Sequence, residues 1–192
     1  MARTAGFDRD AVVESARTLF WRVGYDGCSI LDLEAATGLS RSSLYNTFGS
    51  KRGLFDAAVQ SYLDQVIRPR LAPLQAATVA DDAIVTYLTG LRAAFHTTES
   101  MPATSGCLLV NTASSPLAED RDVARVIGDY RRELQQALTR GIAAHRPQLA
   151  RADAERLGET VTGLLIAAFA IARVEPARAA DSVTTALELL DG

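Results

Sequence analysis

A short run of hydrogen-bonding side chains lies between two glycines, Gly38 and Gly49. It presents a guanidinium, two hydroxyls, a phenol and an amide within six residues. Such groups bind the edges of guanine and adenine and the oxygens of phosphates, which is how a protein helix reads duplex DNA. The residues of the run are Arg41, Ser42, Ser43, Tyr45 and Asn46.

The residues around this run predict the starts and ends of three helices. Gly38 accepts the left-handed conformation at which many helices end, and Ser40 can cap the next helix. Gly49 ends that second helix, and Ser50 can cap a third helix that opens with Lys51. Two short helices joined by a tight turn that contains glycine form a helix-turn-helix, whose second helix enters the major groove.

A series of spaced segments makes this region resemble one known family. Residues 7–55 resemble the N-terminal domain of the TetR family of bacterial transcriptional regulators. The resemblance covers about a quarter of the chain as several separate segments, which is more specific than one short pattern. The segments that carry it are 16–20, 24–27, 33–38, 43–48 and 50–55.

The resemblance implies roles for individual residues of this region. It makes Tyr45 and Lys51 phosphate contacts, and likewise Ser29 at the start of the preceding helix. Phosphate contacts fix the register of the protein on DNA, whereas base contacts give sequence preference. The predicted DNA-binding residues are Ser29, Arg41, Ser42, Ser43, Tyr45, Asn46 and Lys51.

The charge distribution is compatible with a DNA partner, although the net charge is −3. Residues 1–52 hold seven basic and six acidic residues, and the remainder holds 13 basic and 17 acidic residues. The acidity therefore lies outside the predicted DNA-binding region. Within that region we expect a local basic patch that faces phosphates. Its members are Arg3, Arg41, Lys51 and Arg52.

Composition and periodicity predict an all-α protein. Hydrophobic residues make up 48% of the chain and charged residues 22%, which is typical of globular proteins. Apolar residues recur at three- and four-residue intervals, which predicts about nine helices. No apolar run approaches the ~20 residues that a membrane-spanning helix needs, and no leader is recognisable, so we expect a cytoplasmic protein.

The predicted helices divide into two parts. Residues 1–50 are expected to form a three-helix helix-turn-helix domain that binds DNA. Residues 51–192 are expected to form a helical domain for ligand binding and dimerisation. Within the second part, Pro69 and Pro73 are expected to interrupt a long helix, and a polar loop is expected over residues 97–105.

The last two predicted helices, at about 152–172 and 176–190, indicate self-association. The first of them carries small or apolar residues almost all round, including Gly163 and Ala167. A helix that is apolar on two faces must bury both, and a second protomer is the natural cover in a chain of this size. The resemblance implies a homodimer that binds two half-sites of a roughly palindromic operator, about one helical turn (~34 Å) apart.

A segment around Cys107 allows two interpretations. Gly106-Cys107-Leu108 resembles a segment of some TetR regulators, among them repressors that respond to electrophiles and oxidants. If Ser105 caps the next helix, Cys107 lies in its first turn, where the helix dipole favours the reactive thiolate. Otherwise Cys107 is a small buried hydrophobic residue, which is the commoner role of a free cysteine. Cys107 and Cys28 lack the spacing of a metal or redox motif.

A mixture of aromatic, aliphatic and polar side chains could line a small-molecule cavity. Ligand sites are mostly apolar with a few placed polar groups, and this set provides both. Taken singly, each residue fits an ordinary helical core better than a ligand site. The candidates are Tyr62, Tyr87, Leu91, Phe95, Leu108, Asn111, Tyr130, Leu134 and Phe169.

The expected function is that of a repressor that a small molecule releases from a palindromic operator. The alternatives are a repressor that senses oxidants or electrophiles through Cys107, and a helical interaction protein that no longer binds specific DNA. We do not expect an enzyme, because neither a nucleophile elbow nor a Gly-rich phosphate loop is present. No cofactor or metal is expected, because His96 and His145 are isolated by their spacing.

Overall fold

The computed structural model describes residues 7–97 and 99–192, so Arg3 of the predicted basic patch lies outside the described residues. The described residues form helices and connecting segments without a strand, which confirms the all-α prediction. A π-helical segment, Leu63–Ile67, follows α4, and a 3-10 turn, Pro116–Glu119, precedes α9. The α-helices are α1 Arg9–Val23, α2 Ile30–Thr37, α3 Arg41–Phe48, α4 Lys51–Tyr62, α5 Arg68–Gln75, α6 Ala83–His96, α7 Met101–Ser105, α8 Leu108–Ala113, α9 Arg121–His145, α10 Arg151–Ile171 and α11 Pro176–Asp191.

The predicted number of helices depends on how the short elements are counted. The segment α4, the π-helical segment and α5 follow one another without a loop, so they count as one long helix. If that run is counted as one helix and the five-residue α7 is not counted, the described part of the chain has nine helices.

The chain forms two compact units that divide between Ile67 and Arg68. The sequence predicted a division after residue 50, at the start of α4. In the structure α4 packs on α1 as part of the first unit. The ring of Phe20 meets that of Phe55 edge-on, with centroids 5.2 Å apart, and both side chains are buried. This apolar contact is the reason why the first compact unit includes α4.

A buried arginine also ties α1 to the end of the first unit. The side chain of Arg17 is 8% exposed. Its Nη1 donates to Ser61 Oγ at 2.9 Å and to Gln65 Oε1 at 2.5 Å, and its Nη2 pairs with Glu14 at 2.9 Å. A buried guanidinium is tolerated because its donors have partners.

The expected interruption at Pro69 and Pro73 is wrong, because both prolines lie within α5. Pro69, the second residue of α5, lies just after the π-helical segment, so its missing N–H falls where the helical hydrogen-bonding pattern changes. Pro73 removes one hydrogen bond, but Leu71 and Leu74 are 1% and 0% exposed. Burial of these two leucines, at about 1.5–3 kcal/mol each, outweighs the loss.

The expected loop over residues 97–105 is also wrong in part, because α7 occupies its second half. Ser100 caps α7 by accepting the N–H of Ala103 at 3.2 Å, and Pro102 lies in the first turn, where proline is tolerated. Gly106 ends α7 with a φ of 64°, a backbone conformation that favours glycine. A cap and a proline at short range were the local signals for this helix.

The second unit is built around α6, α9, α10 and α11, which pack on one another. Small residues allow close approach in this core. A Cβ added at Gly141 of α9 would lie 2.6 Å from Leu74 Cδ2 and 2.9 Å from Ile84 Cβ. Among the helices that the structure describes, none has the length and apolarity needed to cross a bilayer.

Candidate nucleic-acid interface

The helix-turn-helix lies in the first unit and consists of α2, a turn and α3. Gly38 ends α2 in the left-handed conformation, with a φ of 69°, and its N–H donates to Glu34 O at 2.9 Å. Ser40 then caps α3, because its Oγ accepts the N–H of Ser43 at 3.3 Å. Ser50 caps α4 through the N–H of Gly53 at 3.0 Å. The predicted ends and starts of these helices are therefore confirmed.

The outward face of α3 carries polar side chains, whereas Leu44 anchors its inward face at 4% exposure. Phe48 and Ser43 are half-buried. The guanidinium carbon of Arg41 lies 5.5 Å from the ring centroid of Tyr45, within the range of a cation–π contact. The exposed members of the predicted set on α3 are Arg41, Ser42, Tyr45 and Asn46.

The serine hydroxyls of α3 are engaged with the cap residue. Ser40 Oγ lies 3.2 Å from Ser42 Oγ and 3.1 Å from Ser43 Oγ. These contacts hold the hydroxyls close to the helix start. Both residues are small, so a DNA backbone or base edge can approach α3 closely at this point.

Ser29 forms a reciprocal capping box with Asp32 at the start of α2. Its N–H and its Oγ–H donate to Asp32 Oδ2 at 2.8 Å and 2.6 Å, and Asp32 N–H donates to Ser29 Oγ at 3.1 Å. These hydrogen bonds lower the pKa of the Asp32 carboxyl. Ser29 is exposed, but both of its donors are given to Asp32, so a phosphate contact would have to replace those hydrogen bonds.

Two basic residues open α4, where the helix dipole favours anions over cations. Arg52 Nε pairs with Asp56 Oδ1 at 2.7 Å. Lys51 Nζ lies 4.3 Å from the ring centroid of Tyr25. Lys51 is the only lysine of the chain. A cation held at a helix N-terminus fits a site that a phosphate completes.

The aromatic cluster beneath Lys51 is formed by Phe20, Tyr25 and Phe55. The Tyr25 ring lies 6.1 Å from that of Phe20 and 5.2 Å from that of Phe55. Cys28 is also buried in this unit, and burial raises the pKa of its thiol while the charge of Lys51 opposes the increase. Cys28 is thus held as a thiol at neutral pH.

Sequence reasoning did not single out Arg9, which the structure places beside α3. Its guanidinium carbon lies 5.1 Å from the ring centroid of Phe48, the last residue of α3. Arg9 is exposed and opens α1 immediately after the cap residue Asp8. A basic residue in the first turn of a helix was the only local signal for it.

Comparisons with known proteins agree with this geometry. A family model described as "Bacterial regulatory proteins, tetR family" matches residues 12–58, which include α2, the turn and α3. The HTH-type transcriptional regulator YezE of Bacillus subtilis (strain 168) is 31% identical over 148 residues, covering 77% of this chain and 75% of YezE. This chain belongs to the TetR family. It is accordingly a DNA-binding transcriptional regulator.

Two further relatives of this TetR-family chain are informative. The transcriptional repressor ComR of Escherichia coli (strain K12) is 33% identical over 137 residues, covering 69% of this chain and 64% of ComR. The aligned part is thus less than two thirds of ComR. A cysteine-substituted form of the TetR family regulator CifR, solved with 26-base-pair operator DNA, is 32% identical with a TM-score of 0.76. That match covers 97% of this chain and 98% of the CifR chain.

The structure places Cys107 differently from the sequence prediction. Ser105 is the last residue of α7 and does not cap α8; Cys107 itself is the N-cap of α8. Its side chain is 0% exposed, and its Sγ donates to Tyr130 Oη at 3.5 Å. Burial, and to a lesser extent the nearby Cys107, raises the pKa of the Tyr87 phenol. Cys107 therefore lies buried against Tyr130, and it is close enough to the half-buried Tyr87 to affect the pKa of that phenol.

The remaining candidates for a ligand pocket are divided between the two units. Phe95 and Phe169 meet edge-on with ring centroids 5.6 Å apart, and Asn111 Nδ2 donates to Ser105 O at 2.7 Å. Tyr62 belongs to the first unit and packs edge-on against Trp21 at 4.8 Å. The other members are Leu108 and Leu134, which are buried, and Leu91, which is half-buried.

Proposed function

We propose that this protein binds a specific, roughly palindromic operator as a homodimer and represses transcription until a small molecule releases it. The observation that carries the proposal is the exposed polar face of α3, held by caps at both α2 and α3. Arg41 and Asn46 are suited to base edges, and Tyr45 to the backbone. ComR is a repressor and the CifR structure contains operator DNA, and both similarities support this reading.

The dimer is proposed to form through α10 and α11. Gly163 and Ala167 of α10 are exposed, as is Ile171 at 38%. Val174 follows α10 at 80% exposure, and Leu189 of α11 is 38% exposed. Exposed apolar residues on adjacent helices are typical of a self-association surface. A two-fold dimer would present one α3 to each operator half-site.

The release step is proposed to be a shift between two conformers of the dimer. A ligand in the second unit changes DNA affinity only by binding the two conformers with different strength, typically by about 1–3 kcal/mol. The predicted pocket residues of the second unit, from Tyr87 to Phe169 along the chain, remain proposals for that ligand site. A cytoplasmic location, where chromosomal DNA is available to a bacterial regulator, is part of the same proposal.

A second trigger is favoured by the cluster of Cys107 with Tyr87 and Tyr130. An activated alkene that enters the second unit would add to Cys107: the bond from Sγ to carbon forms as the alkene π bond and the S–H bond break, and the proton ends on the neighbouring carbon of the alkene. The added group would have to displace buried neighbours, because Cys107 is 0% exposed. Unchanged operator affinity after complete alkylation of Cys107, measured by mass spectrometry, would exclude this trigger.

Selection from a pool of random duplex DNA, followed by sequencing of the bound fraction, tests the proposed function. We expect enrichment of one sequence with two-fold symmetry, and two protomers bound per enriched duplex. Weak and sequence-independent binding that disappears with salt would favour instead a helical interaction protein without an operator.

A further inference from the structure

A carboxylate of α2 binds the start of the recognition helix α3. The backbone N–H of Arg41 donates to Glu34 Oε1 at 2.5 Å, across the helix-turn-helix turn. Arg41 is the first residue of α3, so this N–H has no partner within the helix itself. A hydrogen bond to an ionised acceptor is stronger and shorter than one between neutral groups. Glu34 therefore connects α2 and α3 through a charge-assisted hydrogen bond.

Two other N–H groups at the start of α3 are bound by its cap residue. Ser40 Oγ accepts the N–H of Ser43 at 3.3 Å, and Ser40 O accepts that of Leu44 at 3.0 Å. These contacts define the first turn of α3 but involve only residues of that helix and its cap. The contact from Glu34 is different, because its acceptor belongs to the preceding helix. It restrains where α3 lies relative to α2.

The charge of Glu34 has a second effect. A negative charge beside a helix N-terminus is stabilised by the helix dipole. The same charge lies next to Arg41, on the end of α3 that we propose to approach DNA, where it repels phosphates. Glu34 thus holds the recognition helix in place and at the same time weakens its attraction to any DNA.

We propose that Glu34 is a positioning residue that sets the preference of this protein for its operator over other DNA. This inference rests on the proposed function, since it requires an operator. The acceptor oxygen fixes α3 so that Arg41 and Asn46 reach base edges together. The negative charge lowers affinity for all duplexes by a similar factor. The acceptor and the charge are separable by substitution.

The test compares Glu34→Gln with Glu34→Met. Both variants remove the negative charge and keep a side chain of similar length, but only glutamine retains an acceptor oxygen. Affinities are measured for the enriched operator and for a random duplex of equal length, at two salt concentrations. Glu119→Gln, which removes one exposed acid of the 3-10 turn before α9, is the matched control for net charge. Cooperative thermal unfolding of each variant establishes that it is folded.

We expect both Glu34 variants to bind the random duplex about two- to five-fold more tightly, and the control to bind it like the wild type. In Glu34→Gln the operator affinity should rise by a similar factor, so the ratio of the two affinities is kept. In Glu34→Met that ratio should fall about tenfold, because α3 is no longer fixed. Equal ratios in the two variants would overturn the proposal.

Amide hydrogen exchange gives an independent readout without DNA. The Arg41 amide should exchange slowly in the wild type and in Glu34→Gln, and at least about tenfold faster in Glu34→Met. Equal exchange in all three proteins would also overturn the proposal. If Glu34→Met does not fold, the same measurement is made with Glu34→Ala.

The failure of the proposed function is distinguishable from the failure of this inference. A wild-type protein that shows no preference for any operator would overturn the proposed function, and the role of Glu34 in specificity would fall with it.

Discussion

At the scale of single residues, the structure gives the DNA-binding candidates partners that the sequence did not predict. Lys51 lies over Tyr25, Arg9 over Phe48, and Glu34 accepts the N–H of Arg41. The residue types predicted hydrogen bonding to DNA because that chemistry is intrinsic to each side chain. Their partners were not predictable, because each contact joins different elements of the first unit and depends on how those elements pack.

Lys51 offers a sharp test at this scale, because it is the only lysine of the chain. Replacing Lys51 with Gln should weaken binding to operator and random duplexes alike, by about tenfold at low salt, since one phosphate contact is lost. The slope of log affinity against log salt should decrease by about one. Arg121→Gln, which removes an exposed charge at the start of α9, is the control and should have little effect.

Modification of the single lysine gives a second readout of the same prediction. Operator DNA should protect Lys51 from an amine-reactive reagent, as measured by mass spectrometry of the peptide that contains it. Equal modification of Lys51 with and without DNA would contradict its assignment as a phosphate contact.

At the scale of elements, local signals predicted the helix ends well and packing signals poorly. Gly38, Ser40 and Ser50 act where the sequence placed them, because a cap or a left-handed glycine depends only on its neighbours. The prediction that Pro69 and Pro73 interrupt a helix was wrong, because the burial of Leu71 and Leu74 that stabilises α5 depends on the packing of the second unit as a whole. The cap of α8 lies two residues later than predicted, at Cys107 in place of Ser105, because Ser105 belongs to α7.

The capping box of α2 leads to a prediction about pH. The hydrogen bonds from Ser29 lower the pKa of Asp32 in the folded state. The stabilisation is therefore complete above the pKa of Asp32 in the unfolded chain, about 3.9, and is lost as pH falls through the lower folded value. Asp32→Asn should lower the melting temperature by a few degrees at pH 7, and this difference should shrink towards pH 3. A difference that stays constant from pH 7 to pH 3 would contradict this account.

At the scale of the whole molecule, the sequence predicted the fold class and the family but not the extent of the units. The predicted DNA-binding residues all lie in the first compact unit, which extends to Ile67 because α4 packs on α1. Tyr62 consequently lies in the first unit, against Trp21. The apolar character of α10 predicted a partner surface, and exposed Ile171 and Val174 at its end agree with that proposal.

The proposed dimer surface is tested by placing a charge on it. Ile171→Glu should raise the dissociation constant of the dimer at least about tenfold, because a carboxylate would be buried at the interface. Operator affinity at nanomolar protein should fall with it, since dimerisation and binding are coupled. Sedimentation velocity measures the first effect. Ala143→Glu on the exposed face of α9 is the control, and dimers of equal stability in both variants would contradict the proposed surface.

The central claim is that the exposed face of α3 reads the operator sequence. The most direct measurement is the selection of duplex DNA carried out in parallel with the wild type and with the double variant Arg41→Ala/Asn46→Ala. The wild type should enrich one two-fold symmetric sequence, and the variant should still bind DNA through Lys51 but lose the base preference within each half-site. Enrichment of the same sequence by both proteins would show that α3 does not read it.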